Sequence, residues 1–176
     1  MNHEVHSLML ANERDVVSAR QRARSIAEAL RFDHHDQIRI ATAVSEIARN
    51  AFRYARGGTV IFSVDPDDRL FRISVTDKGG GIPHMDKVLG GSYRSSTGMG
   101  MGILGTKRLM DEFSIESTRT GTSIHFGKKL PGLFEPPDPA SMQRLSDQLA
   151  RQPPTSPIDA LQIQNRELRK TLNDLR

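Results

Sequence analysis

Four glycines in eight residues, Gly98, Gly100, Gly102 and Gly105, restrict this chain more than any other feature. They lie in the stretch 95–110, SSTGMGMGILGTKRLM. There Ile103, Leu104, Leu109 and Met110, with Lys107 and Arg108, read as the start of a helix. A glycine-rich loop that feeds a helix N-terminus suits phosphate. Glycine lets the backbone approach closely, and the first-turn N–H groups are unpaired. Two familiar motifs are excluded. Gly100 to Gly105 matches G-x-G-x-x-G, but loop residues rather than a strand precede it. In Gly105-Thr106-Lys107 the lysine falls one place late for a P-loop. Taken alone, the stretch fits a flexible loop as well as it fits a phosphate site.

Upstream, residues 4–10 alternate in part and read as an edge strand. Asn12 or Asp15 offers an N-cap for a helix carrying Val16, Val17, Ala19, Ala23, Ile26, Ala27 and Leu30 at mostly helical spacing. Residues 32–36 interrupt that pattern and cap a second helix over about 36–54. Its Ile40, Val44, Ile47, Ala51 and Tyr54 form one apolar stripe. Glu46, Arg49, Asn50 and Arg53 form a second stripe on the opposite side. The spacing suits a solvated face equally well. Asn50 is its odd member, because asparagine is a mediocre residue in mid-helix.

Gly57 and Gly58 end this helix, and residues 59–64 and 70–76 alternate as the strands of a hairpin. Asp77 follows at the strand end, with Gly79, Gly80 and Gly81 directly after it. This is a place where a ligand could touch backbone, and equally an ordinary glycine turn. Residues 113–117 and 122–126 read as two more strands, after a helix running to about residue 112, with Thr120-Gly121 as their turn. The order β-α-α-β-β-loop-α-β-β predicts an α/β two-layer sandwich, a mostly antiparallel mixed sheet with its helices on one face. The absence of cysteine excludes a disulfide scaffold or thiolate metal site and fits a reducing cytoplasm. The net charge of +4 is dispersed, without the basic runs of a nucleic-acid patch. No apolar run is long enough to cross a membrane, and no signal-peptide pattern opens the chain. A cytoplasmic protein with no membrane insertion is expected.

Composition shifts at Pro131: seven of the nine prolines fall within 131–157. The expected organisation is a folded domain over 1–130, a proline-rich linker over 131–157 holding a short helix at 140–150, and an amphipathic helix over 158–176. In that last helix Ile158, Asn165 and Leu172 take position a of a heptad, and Leu161, Leu168 and Leu175 take position d. A homodimer through this seam is one expectation. A helix folded back on the domain is the other. Because the seam runs to the last residues, continuation into further sequence is a third.

Four separated pieces coincide: SEIARNAFRYA from Ser45, DKGGGIP from Asp77, STGMGMGILGTKRLMDEFSIES from Ser96 and GTSIHF from Gly121. In this order they resemble the Bergerat-fold ATP-binding family of gyrase, Hsp90, histidine kinases and MutL. The resemblance is nearest to the bacterial anti-sigma-factor and stress-switch serine kinases, and covers about residues 5–128. It implies ATP and Mg²⁺ as cofactors. Asn50 would be the metal ligand, with Glu46, one turn earlier, as general base. Asp77 would accept the exocyclic amine of adenine, and Gly79 and Gly81 would let the base approach the backbone. Gly98, Gly100 and Gly102 would wrap the phosphates, and Thr122 would join the hydrogen bonds around the adenine. Lys107, Arg49 and Arg53 are candidates for a phosphate-binding cation. The middle residue, Gly80, is more often proline or another residue in that family. The implied function is a serine/threonine protein kinase regulating a STAS-domain partner or a sigma factor. The alternatives are a nucleotide-gated binding regulator with little transfer, and an ATPase-like segment of a larger sensor kinase.

Overall fold

The computed structural model describes residues 2–55, 57–80, 102–132, 138–151, 165, 168–169 and 171–175. Five strands form a single sheet in the order β1-β2-β3-β5-β4. They are β1 (His3–Leu10), β2 (Gly58–Asp65), β3 (Leu70–Asp77), β4 (Glu112–Thr118) and β5 (Gly121–Lys129). Every pairing is antiparallel, so the described sheet has no parallel component. The helices are α1 (Glu13–Ala29), α2 (His34–Ala55), α3 (Gly102–Leu109) and α4 (Pro139–Arg151). The two-layer α/β sandwich expected from the element order is the architecture observed.

The layers join where period two meets period 3.6. Val60, Phe62 and Val64 of β2 pair in register with Val75, Ile73 and Phe71 of β3, and all six are buried. Ile124 and Phe126 of β5 continue that face. Ile40, Val44, Ile47 and Ala51 of α2 pack into the same core. Each large side chain so buried contributes about 1.5–3 kcal/mol. The side chain of Tyr54, the last member of the stripe, lies outside the described residues. On the other side of the sheet Thr76 and His125 are exposed.

Local chemistry sets the helix ends. Asn12 is the N-cap of α1: its side chain accepts the Asp15 N–H at 3.3 Å, and Asp15 accepts the Asn12 N–H in return at 3.0 Å. Asp33 accepts the Asp36 N–H at 2.7 Å and so starts α2. Helix α3 stops at Leu109, three residues short of the sequence expectation, because β4 begins at Glu112. The Lys128 ammonium donates to the Leu109 carbonyl at 3.4 Å and lies 3.6 Å from Asp111 and 3.8 Å from Asp36. This cation at a helix C-terminus fastens α3 to β5 and to the start of α2.

The helix expected in the proline-rich stretch is present as α4. It lies against β1 and α1, with Met142 and Leu149 buried. Among the described residues, no helix is long and apolar enough to cross a membrane.

Candidate functional site

The site forms where β3 ends, β5 begins and α2 finishes. Asp77 closes β3 directly opposite Thr122 of β5. Its Oδ1 accepts the Gly79 N–H at 2.9 Å and the Thr122 N–H at 3.3 Å. Two backbone donors on one oxygen fix the carboxylate's orientation. Among the described residues Oδ2 accepts no hydrogen bond. It is available to a donor arriving from outside the sheet. Thr122 is buried, and its hydroxyl lies 3.0 Å from that of Ser117 on β4.

Two glycines make this arrangement possible. A Cβ on Gly79 would stand 2.6 Å from the Ala55 Cβ, so the loop after β3 lies directly on the last turn of α2. Gly121 has φ +154, and a side chain there would be driven into the Asp77 carbonyl. Among the described residues, nothing lies within 4 Å of a Cβ placed on Gly80.

Helix α2 links the carboxylate at Asp77 to a second group of polar side chains. Glu46, Arg49 and Asn50 of α2 are half-buried, whereas Arg53 is exposed. The Arg49 guanidinium donates to Glu46 Oε1 at 3.0 Å and to the Ser45 hydroxyl at 3.4 Å. The Glu46 side chain is only 13% exposed, so this ion pair is shielded from solvent on one side. The Asn50 carboxamide makes no hydrogen bond among the described residues. A half-buried amide oxygen without a partner suits a hard cation that takes oxygen ligands and keeps its own waters. Asn50 offers one such oxygen, and no cluster of three or more His, Asp or Glu side chains that could hold a metal occurs among the described residues.

Helix α3, which packs against α2, begins at Gly102 with φ +25. The Thr106 hydroxyl returns to the Gly102 carbonyl at 3.1 Å. Lys107 and Arg108 are exposed on this helix, and nothing ties Lys107 to Asn50 or Asp77. Gly81, Gly98 and Gly100 lie outside the described residues. The structure thus brings Asp77, Gly79 and Thr122 together and keeps Glu46 beside Arg49 on the adjoining helix. Sequence reasoning missed Gly121 and Ser117. Thr120-Gly121 carried a turn signal, but nothing in one sequence aligned that turn with Asp77. A separate groove between α1 and α4, lined by Ser25, Glu28, Ala29, Leu145, Gln148 and Leu149, contains none of these residues.

Several known proteins resemble this chain in sequence. A model of the histidine kinase-like ATPase domain matches residues 9–128. The serine/threonine-protein kinase RsbT of Bacillus subtilis (strain 168) is 42% identical over 118 residues, which is 65% of this chain and 89% of that protein. The anti-sigma F factor of Bacillus licheniformis is 31% identical over 99 residues, 52% of this chain and 68% of the relative. That of Pasteuria penetrans is 35% identical over 102 residues, 52% of this chain and 67% of the relative. Among solved structures, the histidine kinase domain of the blue-light activated histidine kinase from Erythrobacter litoralis EL346 superposes with a TM-score of 0.41 at 20% identity. That match covers 62% of this chain and half of the other. With the family model spanning 120 of its 176 residues, this chain belongs to the histidine kinase-like ATPase domain family.

Proposed function

We propose that this protein is an ATP- and Mg²⁺-dependent serine/threonine protein kinase that acts on a STAS-domain partner, or controls a sigma factor, in a partner switch. The observation that carries the reading is the Asp77 carboxylate, held by two backbone N–H groups on Oδ1, with Oδ2 unengaged among the described residues. An acceptor in this position selects a base with an exocyclic amine, as adenine has and guanine lacks at the equivalent edge. RsbT, 42% identical, bears the name of a serine/threonine kinase, and the anti-sigma F factors supply the regulatory context.

Each residue then has a physical task. Asp77 accepts the adenine amine, Gly79 and Gly81 admit the base edge, and Thr122 supports the hydrogen-bonded surround. Asn50 would hold Mg²⁺ through its carboxamide oxygen, and the ion would supply charge neutralisation for the phosphates. Gly98, Gly100 and Gly102 offer backbone N–H groups to the phosphates at the head of α3. Glu46 accepts the proton of the attacking serine or threonine hydroxyl. Phosphoryl transfer needs mainly positioning and charge neutralisation, which this set supplies. Arg49 holds Glu46 in place from one turn along the helix. Lys107 is assigned only a supporting electrostatic part, since it is exposed.

Incubation with labelled ATP and a STAS-domain protein tests the reading. Label should appear on a hydroxyl of the partner. Glu46→Ala should bind Mg-ATP normally and transfer nothing. Equal transfer by that variant would remove Glu46 as the base. A second reading is nucleotide-gated partner binding with little transfer, favoured by the engagement of the Glu46 carboxylate with Arg49. In that case the partner is captured with ATP present but stays unlabelled.

A further inference from the structure

Three leucines of the C-terminal helix stand out from the packed domain. Leu168, Leu172 and Leu175 are 52, 58 and 79% exposed, although spacings of four and three place them on one helical stripe. The described residues from Asn165 to Asp174 are helical, Leu175 forms the turn that follows, and its N–H returns to the Thr171 carbonyl at 3.2 Å. By contrast α4 has its own apolar face buried on α1 and β1. The leucine stripe is therefore not spent on the domain, which removes the fold-back arrangement for these side chains.

The sequence says what covers it. We infer that residues 158–175 pair with the same segment of a second copy as a parallel two-stranded coiled coil. With Ile158, Asn165 and Leu172 at a, and Leu161, Leu168 and Leu175 at d, the seam mixes β-branched and leucine side chains with one polar layer. In a parallel in-register pair Asn165 meets Asn165 of the second copy, so each carboxamide finds a hydrogen-bonding partner. An antiparallel pair with matched ends sets Asn165 against Leu168. That leaves the amide unpaired in an apolar layer. In the parallel pair the flanking g and e positions bring Gln164 to Arg169 and Thr171 to Arg176, with no like-charge contact. The polar layer selects the parallel arrangement. The seam has only about two and a half heptads, so the association is weak and depends on concentration.

Sedimentation of the full chain between roughly 5 and 500 µM tests this. The weight-average mass should rise from the monomer value toward twice that value across the series. The double variant Leu168→Asp/Leu172→Asp should stay monomeric throughout, with the thermal melt of the domain unchanged because both side chains lie off its core. Orientation is read separately. The chain has no cysteine, so Leu175→Cys carries a sole thiol. In a parallel pair the two thiols are neighbours and form a disulfide-linked dimer under mild oxidation. In an antiparallel pair they sit about 25 Å apart along the helix and do not. Wild-type chain that remains monomeric at the top of the range would overturn the proposal. So would a dimer that survives the double variant, or a dimer in which Leu175→Cys fails to cross-link. None of these results bears on nucleotide binding, which is assayed independently.

Discussion

Replacing Gly79 with alanine adds one methyl group where the structure has no room for it. The new Cβ would lie 2.6 Å from the Ala55 Cβ, 3.1 Å from the Ala55 Cα and 3.3 Å from Asp77 Oδ1. Apolar carbons rest about 3.5–4.0 Å apart, so one side must retreat by about 1 Å. Ala55 has no longer side chain to swing away, and its Cα belongs to α2. The loop must therefore yield, which draws the Gly79 N–H off Asp77 Oδ1, now 2.9 Å away. A hydrogen bond to a charged group contributes about 1.5–3 kcal/mol, and overpacking costs about 1–3 kcal/mol. If half of that falls on the ligand-bound state, affinity for Mg-ADP drops roughly ten- to a hundredfold. Titration calorimetry of Gly79→Ala beside Gly80→Ala gives the readout. Among the described residues nothing lies within 4 Å of a Cβ on Gly80, which has no left-handed φ, so its alanine variant should bind like wild type. Equal affinities for the two variants would refute the claim that the Gly79–Ala55 contact sets the carboxylate.

Other consequences follow from the same geometry. Asp77→Asn keeps an acceptor for the two backbone N–H groups but can present an amide donor outward. Adenine-nucleotide affinity should fall about a hundredfold while the melting temperature holds. Gly121→Ala forces a side chain into the Asp77 carbonyl at φ +154, and should lower the melting temperature by more than about 5 °C. Asn50→Ala should reduce the Mg²⁺-dependent part of nucleotide binding and leave the metal-free part unchanged, as read by titration with and without EDTA. His6 is held below its ordinary value of 6.5, first by burial and then by the nearby Arg22 charge. The unfolded chain therefore binds the proton more readily. The stability this histidine contributes is complete above about pH 6.5 and is lost as pH falls through its lowered folded-state value. His6→Gln should flatten melting temperature against pH in that acid range.

Much of the fold was readable because its cues are local. The α2 stripe of Ile40, Val44, Ile47 and Ala51 announced its buried face, and alternation in β2 and β3 announced the hairpin. Asn12 and Asp15 read as alternative N-caps; Asn12 is the N-cap, and Asp15 completes its capping box. What could not be read depends on register across long sequence separations. Thr122 reaches Asp77 over 45 positions, through the β3–β5 pairing. Gly79 meets Ala55 only because the loop folds back onto α2. The place where α4 lands was hidden for a similar reason: an amphipathic pattern names a buried face but not the surface that buries it. At the site, Asp77, Gly79 and Thr122 were named from the sequence, whereas Gly121 was read only as a turn residue.

A crystal structure with Mg-ADP tests the central claim most directly. The account predicts the adenine exocyclic nitrogen about 2.7–3.2 Å from Asp77 Oδ2, and Mg²⁺ about 2.1 Å from the Asn50 carboxamide oxygen. A nucleotide seated elsewhere on the domain, or one bound with its base turned away from Asp77, would contradict it.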